Sequence, residues 1–354
     1  MKKQIVVFLL ILILPSLIFS QKKYDIKTIA FYNLENLFDT ENDTLIDDEA
    51  SPIMEIKENR LEIYQKKLNN MAKVISEIGE VESKNSPVIL GVAEIENKRV
   101  LVDLIETSYL KEKNYNIIHY DSPDLRGIDV GFLYQPTFFR PIHHETFELK
   151  LWEENGMRIY TRDQLLVSGY LGDELIHIIV NHWPSRRGGE EKSRPTREKA
   201  AYLNTQIIEQ IKLTDPNPKV IIMGDLNDDP INTSLKEVLK TKAEKDDVKE
   251  GDIYNPMEDM FKRGQNTLVY RDNLNLFDQI MFTSPLLTTT KDFSSYKMYK
   301  ANIYNPQYLT TQTGKYKGYP FRSWGYSGFT DGFSDHYPVY IYLIKEIKPV
   351  LQLN

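Results

Sequence analysis

The chain has 354 residues, with 51 acidic and 44 basic side chains for a net charge of −7, and it contains no cysteine. Disulfides, thiolate metal centres and a cysteine nucleophile are thereby excluded, and any polyanionic partner has to be met by local rather than overall positive charge. The 41% hydrophobic and 27% charged residues are ordinary for a folded soluble protein, and the length suits one large α/β domain or two small ones.

Lys2 and Lys3 precede an apolar run from Ile5 to Phe19, and Ser20-Gln21-Lys22-Lys23 follows. A basic start, an apolar stretch and a small residue are the order of a signal peptide over residues 1–20, with export to the periplasm or beyond expected after cleavage near Ser20. Pro15 interrupts the run, which is short for a membrane span, so no stable membrane anchor is expected. Without Lys2 and Lys3 the chain carries 42 basic against 51 acidic residues, or −9. The remainder, residues 24–346, is expected to form one domain, as a monomer.

Ile26–Phe38 opens as a strand and places Asn33 at its end, where an amide inside an apolar run needs a hydrogen-bond partner. Asp39–Pro52 is acidic without a base and reads as a solvated loop able to supply a secondary ion site. Leu61, Tyr64, Leu68, Met71, Ile75 and Ile78 recur at threes and fours, the stripe of a helix packed on a sheet and ended by Gly79. Val88–Asn97 is a second strand with an acidic end, in which alternation puts Glu94 and Glu96 on one face. Val100, Leu101, Leu104 and Ile105 mark a helix after it.

Tyr115–Tyr120 and Asp129–Tyr134 read as strands around a loop that sets Arg126 beside Gly127. In the strand Phe138–Leu149, His143 and His144 point to opposite faces and are expected to be partly buried structural residues. Leu165–Tyr170 and Leu175–Val180 form a hairpin across Gly172-Asp173, and the second strand runs into Asn181-His182-Trp183-Pro184-Ser185-Arg186-Arg187-Gly188-Gly189. A histidine followed by two arginines in a glycine-flexible loop suits phosphate. Thr196 is expected to start a helix that buries Ala200, Leu203, Ile207 and Ile211.

Val220–Met223 is a buried strand that ends at Gly224, with Asp225, Asn227, Asp228 and Asp229 crowding its exit before Pro230. Alternation places Asp225 and Asn227 on one side, a carboxylate to take a proton or hold a cation and an amide to orient an oxygen. An Asx-rich turn is the plain structural alternative. Residues 232–264 are polar and read as helical or irregular. Asp278 then sits in the apolar strand Asn275–Phe282, where a buried carboxylate calls for a cationic or donor partner. Phe293–Thr330 has no acid, five bases and eleven aromatics, the mixture of a groove for single-stranded or splayed nucleic acid or of a tyrosine-rich loop packed on the domain. Ser334-Asp335-His336 finally leads into the strand that ends at Ile344.

Six strand ends therefore offer Asn33, Glu94, His182, Asp225 with Asn227, Asp278, and Asp335 with His336, which together suggest one cleft. Oxygen ligands without thiols favour Mg²⁺ or Mn²⁺, with Ca²⁺ as a further candidate, and a phosphate ester as the substrate. The set Phe31-Tyr32-Asn33, Ala93-Glu94-Ile95, Asn181-His182, Gly224-Asp225-Leu226-Asn227, Phe277-Asp278-Gln279-Ile280 and Ser334-Asp335-His336-Tyr337-Pro338-Val339 resembles the endonuclease/exonuclease/phosphatase superfamily, in the family's order over residues 26–344.

The resemblance implies an α/β fold, a four-layered sandwich of two mixed, mostly antiparallel sheets packed face to face with helices outside. It also implies roles: Glu94 and Asn33 as metal ligands with Asp335 at a second ion position, Asp225 and Asn227 on the attacking water, and His336, held cationic by Asp278, on the phosphoryl oxygens. His182 would protonate the leaving oxygen. A deoxyribonuclease-type histidine is paired with a glutamate, for which only Asp129 stands near the matching place. Arg126, Arg186 and Arg187 are the expected substrate contacts. Nucleic acid is the expected substrate for an endonuclease on DNA or RNA, with lipid head groups or small phosphate esters as the alternative.

Overall fold

The computed structural model describes residues 22–347 apart from residue 289, so the expected signal peptide lies outside the described residues. Twelve strands make two six-stranded sheets. They are β1 (Lys23–Leu37), β2 (Ile89–Ile95), β3 (Asn116–His119), β4 (Asp129–Tyr134), β5 (Phe139–Phe147), β6 (Gln164–Leu171), β7 (Glu174–His182), β8 (Val220–Asp225), β9 (Ile253–Tyr254), β10 (Asp278–Thr283), β11 (Lys297–Ile303) and β12 (Val339–Ile347). One sheet runs β11-β12-β1-β2-β4-β3 and the other β9-β10-β8-β7-β6-β5. Each holds one parallel pair at its centre, β1 with β2 and β7 with β8, among antiparallel neighbours.

Strict alternation sorts the side chains into layers. Ile29 and Phe31 of β1 face the other sheet, while Ala30 and Tyr32 face the helices α1 (Arg60–Glu77) and α2 (Lys98–Ile105). On the second sheet Ile176, Ile178 and Val180 of β7 and Ile221 and Met223 of β8 face inward, and Ile179 and Ile222 pack on the long helix α3 (Glu190–Lys212). The order helix, sheet, sheet, helix is the four-layered sandwich expected. The sheets meet closely at Gly91, where an added Cβ would lie 2.7 Å from the sulfur of Met223.

Two local expectations are corrected. Helix α3 begins at Glu190, six residues ahead of Thr196, with Ser193 Oγ donating to the Gly189 carbonyl at 2.7 Å and Pro195 carried inside it. His143 and His144 are exposed rather than partly buried, because β5 is the outermost strand of its sheet; they bond Glu145 and Tyr120. Residues 232–264 are helical or irregular as expected, with a wide helical turn over Ser234–Val238 and a short helix Met257–Lys262, apart from the two-residue strand β9. Among the described residues no helix is long and apolar enough to cross a membrane.

The close approach at Gly91 generates a stability prediction. Gly91→Val forces the sheets apart and should cost about 1–3 kcal/mol, as overpacked cores do. Urea unfolding would show it as a lower midpoint, partly restored when Met223→Ala is added. A neutral Gly91→Val would mean that the two sheets do not touch there.

Candidate active site

The inward-facing stripe of each central strand ends in a polar residue. Asn33 follows Ile29 and Phe31 at the same parity, His182 follows Ile178 and Val180, Asp225 follows Ile221 and Met223, and Asp278 precedes Ile280 and Phe282. The parallel register sets Asp225 opposite His182, and the antiparallel register sets it opposite Asp278. The apolar core between the sheets therefore gives way, at one end, to a buried polar floor.

Glu94 has the wrong parity for that floor and reaches it through a β-bulge. Its φ is +58°, and the pairing of β2 with β4 shifts between Ala93 and Ile95. Neighbouring β1 is irregular as well, with Glu35 and Asn36 at positive φ and its register shifted between Asn33 and Leu37. Bulges re-aim side chains beside active sites. Here they bring the backbone N–H of Asn36 to Glu94 Oε2 at 3.0 Å. The bulge also parts Glu94 from Glu96, which turns away, buried, to accept the N–H of Asp39 at 2.7 Å. The expected shared face of the two glutamates does not form.

Asp225 Oδ2 is the hub. The Asn33 amide nitrogen lies 3.1 Å from it and equally 3.1 Å from Glu94 Oε1. His182 Nε2 lies 3.6 Å from Asp225 Oδ2 and 4.0 Å from Glu94 Oε1, and His336 Nε2 lies 4.0 Å from Asp225 Oδ2. Burial pushes the Asp225 carboxyl up to about 7, against the pull of His336 and with the repulsion of Asp278 and Glu94. A carboxylate with that affinity for protons is suited to proton transfer near neutrality.

The two histidines are held in opposite states. His336 Nδ1 meets the buried Asp278 Oδ2 at 2.6 Å. Burial alone would lower the imidazole, but Asp278 and Asp225 outweigh it and hold His336 well above the ordinary range. Asp278 thus has the cationic partner its burial required. His182 is driven well below that range, first by burial and then by Arg162, Arg126 and His336. Its Nδ1 is buried without a partner among the described residues. Asp129 does not serve it, because that carboxylate binds His119 Nε2 at 3.0 Å and the N–H of Ser122 at 2.9 Å.

The donor set fits a divalent cation. Glu94, His182 and Asp225 each place one ligand atom within 4.8 Å of the others, and the crowding that raises Asp225 would be relieved by a cation. Asp335 lies outside this cluster, with Oδ2 3.3 Å from Arg322 Nη2. Asn33 lies 3.1 Å from Glu94 Oε1, and Asp335 is the residue expected at a second ion position rather than in this cluster. Asn227 departs from its expected place: its φ of +50° takes it off the strand, so alternation does not apply. Its side chain donates to the Trp183 carbonyl at 3.1 Å, and its backbone N–H holds Asp225 Oδ1 at 3.0 Å.

Of the three expected substrate arginines, Arg186 is already engaged. Its guanidinium donates to the Asn227 carbonyl at 2.9 Å, meets Asp228 and Asp229 at 3.3 Å each, and covers the Phe277 ring. With buried Arg197, whose Nε lies 2.6 Å from Asp228 Oδ1, it fastens the turn that carries Asp225 and Asn227. Arg187 is exposed and makes no hydrogen bond or ion pair among the described residues, and Arg126 is half exposed beside Asp124. Two supports went unread in the sequence. Buried Arg162 donates to the Trp183 carbonyl at 2.7 Å and to Asp124 at 3.2 Å. Arg322 bridges Asp335 and buried Glu35, whose backbone carbonyl accepts from buried Lys67 at 2.7 Å. Arg162 and Lys67 belong to no strand end, and a lone cation in a polar stretch or on a helix carries no periodic signal.

A family model described as Endonuclease/Exonuclease/phosphatase family matches residues 28–345. Solved structures of similar fold include truncated TDP2 of Caenorhabditis elegans, at 15% identity, 90% of this chain and 97% of that chain, with TM-score 0.50. TDP2 of D. rerio complexed with single strand DNA product matches at 13% identity over 90% and 98% of the two chains, TM-score 0.50. The endonuclease/exonuclease/phosphatase from Bacteroides vulgatus matches at 15% identity over 90% and 98%, TM-score 0.50. At these identities the likeness is one of fold. No match was found among curated proteins.

The two neighbouring arginines should behave differently on mutation. Arg186→Ala strips buried Asp228 and Asp229 of one partner and should cost about 1–3 kcal/mol of stability, whereas Arg187→Ala should leave the unfolding midpoint where it was. Denaturant titrations of both variants test this, and equal effects would refute the assignment of Arg186 to the scaffold.

Proposed function

The chain belongs to the endonuclease/exonuclease/phosphatase family, and from that premise we propose that it is an exported, divalent-metal-dependent phosphodiesterase whose substrate is nucleic acid. Hydrolysis of phosphate esters follows from the family. The choice of nucleic acid is carried by one observation, the rim of the site. The loops that leave the strands at this end of the sheets expose Arg126, Arg187, Lys315, Lys317 and Arg322 with Tyr316 and Tyr326 among them, on a chain that is acidic overall. Local cations for a phosphate backbone and exposed aromatic faces for bases are the combination that grips splayed strands. TDP2 of D. rerio, of the same fold, has been captured with a single strand DNA product. Export rests on the leader-like residues 1–20.

Glu94, with Asn33 beside it, would hold a divalent ion, Mg²⁺ or Mn²⁺, which would supply positive charge to a phosphoryl oxygen. The residues of the chain do the rest. Cationic His336, braced by Asp278, presents its Nε2–H to the phosphoryl oxygens as negative charge builds there. Asp225 orients the attacking water and accepts its proton, and the Asn227 backbone N–H keeps its carboxylate in place. The water oxygen bonds to phosphorus as the ester oxygen departs. Arg322, paired with Glu35 and Asp335, holds the Asp335 carboxylate next to His336.

The test is incubation of the chelator-stripped protein, with and without Mg²⁺ or Mn²⁺, with plasmid, single-stranded DNA, RNA, sphingomyelin vesicles and a sugar phosphate monoester. Metal-dependent cleavage of nucleic acid is the expected result, and turnover confined to lipid or monoester would overturn it. Asp225→Ala and His336→Ala should each lower turnover by at least about 10²-fold, in the range seen for loss of a transition-state contact. Asp278→Asn should lower it less and shift the alkaline limb of the pH profile to lower pH, because His336 then loses the partner that keeps it protonated.

A further inference from the structure

We propose that the hairpin formed by Leu268–Tyr270 and Asn273–Asn275, together with the loop over residues 311–319, is a subsite for single-stranded nucleic acid. Bases beside the cleaved bond stack on Tyr270 and Tyr316, and Arg271 and Lys317 meet the phosphates between them. The inference deepens the nuclease reading above and rests on it.

Both segments are rooted in the catalytic floor. Buried Thr267, at the base of the hairpin, accepts the Asp278 N–H on Oγ1 at 3.2 Å and the Tyr337 N–H on its carbonyl at 2.7 Å. It is thereby fixed to the residue that braces His336 and to the residue that follows His336. The loop shares this anchor, since the Tyr337 hydroxyl meets Thr310 Oγ1 at 2.7 Å. At the other foot of the hairpin, Asn275 donates to Asp229 Oδ2 at 3.0 Å, on the turn that carries Asp225. The register pairs Leu268 with Asn275 and Tyr270 with Asn273, so alternation puts Tyr270 on the hairpin face that Asn275 directs at that turn. Three residues of strand separate Tyr270 from Thr267, about 10 Å, which is within reach of a nucleotide next to the reacting phosphate.

The second observation is what the hairpin tip displays. Arg271 and Asp272 have φ of +50° and +65°, the left-handed pair of a two-residue turn in which asparagine and glycine are the usual choice. An arginine in that conformation carries strain, of the kind that collects at binding sites. No internal contact accounts for it: the guanidinium makes no hydrogen bond or ion pair among the described residues and lies 5.2 Å from the centre of the Tyr270 ring. Lys315 and Lys317 are likewise without an acidic partner among the described residues. The one acid at the tip, Asp272, is occupied by Tyr319, whose hydroxyl donates to its carboxylate and accepts its N–H at 2.9 Å. That contact joins the hairpin to the loop, and Tyr319 in turn packs edge-on against Tyr316 at 5.5 Å. Tyr270 and Tyr316 are left 59% and 55% exposed.

Exposed rings beside unpaired cations fit a ligand that offers flat faces and regularly spaced negative charge. A duplex stacks its base faces on one another, so a single strand or a splayed end is the form that presents them. The test is fluorescence anisotropy of the full chain, in chelator to prevent cleavage, with labelled single-stranded DNA, single-stranded RNA and a blunt duplex. Either single strand should bind more tightly than the duplex, and Tyr270→Ala and Tyr316→Ala should each weaken that binding at least about 5-fold, as loss of one stacked base does. Arg271→Gly should lower the steepness of the salt dependence by about 0.7, the share of one phosphate contact, while the unfolding midpoint holds or rises because glycine relaxes the turn. With Mg²⁺ or Mn²⁺ restored, kcat/KM of the variants should fall more for the single strand than for bis(4-nitrophenyl) phosphate, which is too short to reach the hairpin. Unchanged affinity in the variants, equal binding of the duplex or equal loss on both substrates overturns the subsite, and so does binding of anionic vesicles in place of oligonucleotide. The nuclease reading stands in any of these cases if the wild type still cleaves nucleic acid, whereas a wild type that neither binds nor cleaves it overturns both. Should a tyrosine variant not fold, Arg271→Gly decides.

Discussion

Two carboxylates share one amide. Glu94 Oε1 and Asp225 Oδ2 both lie 3.1 Å from the same nitrogen of Asn33, at the point where the apolar core between two sheets runs out. Like charges brought so near in a buried place are costly unless something positive joins them. Much of the surrounding structure answers that cost. Donors ring the pair: the Asn36 N–H on Glu94, the Asn227 N–H on Asp225, and the cationic His336 beyond. The remaining imbalance is expressed in the Asp225 carboxyl, which burial and its acidic neighbours push up to about 7.

Holding such an arrangement open requires rigidity from behind, and it is supplied by a second ring of buried ion pairs. Arg197 and Arg186 clasp Asp228 and Asp229 under the Asp225 turn. On the other sheet Lys67 and Arg322 secure Glu35 beneath the β1 bulge, and Ser334 Oγ donates to the Asn33 carbonyl at 2.7 Å. Each ring is anchored in a different sheet, so the two halves of the site are positioned by the packing of the sheets on one another. The sheets can pack so closely because a residue without a side chain, Gly91, faces Met223. Stability and site geometry are in this sense one property.

How much of this was legible in the sequence follows from what repeats and what does not. Alternation is periodic, so the strands, the layers and the delivery of Asn33, His182, Asp225 and Asp278 to one floor could be read from a single chain. Bulges break the period. Glu94 arrives by a left-handed residue that shifts the register, and the sequence argument put it on a shared face with Glu96 that the structure does not form. Partners across the fold are invisible for a different reason: Arg186 looks as free as Arg187 until the turn folds back to meet it. The starting point of α3 was missed because Gly189 offers no side-chain cap and an internal Pro195 hides the true first turn.

The pair of histidines shows why the charge of a side chain belongs to its surroundings. His182 and His336 are both buried, both end near Asp225 Oδ2, and differ by 0.4 Å in their distance from it. Burial disfavours the charged form of each alike. What separates them lies on the far face of the ring, where His336 has Asp278 and His182 Nδ1 has no partner among the described residues. Placing a single carboxylate behind one ring and withholding it from the other is sufficient to produce the difference.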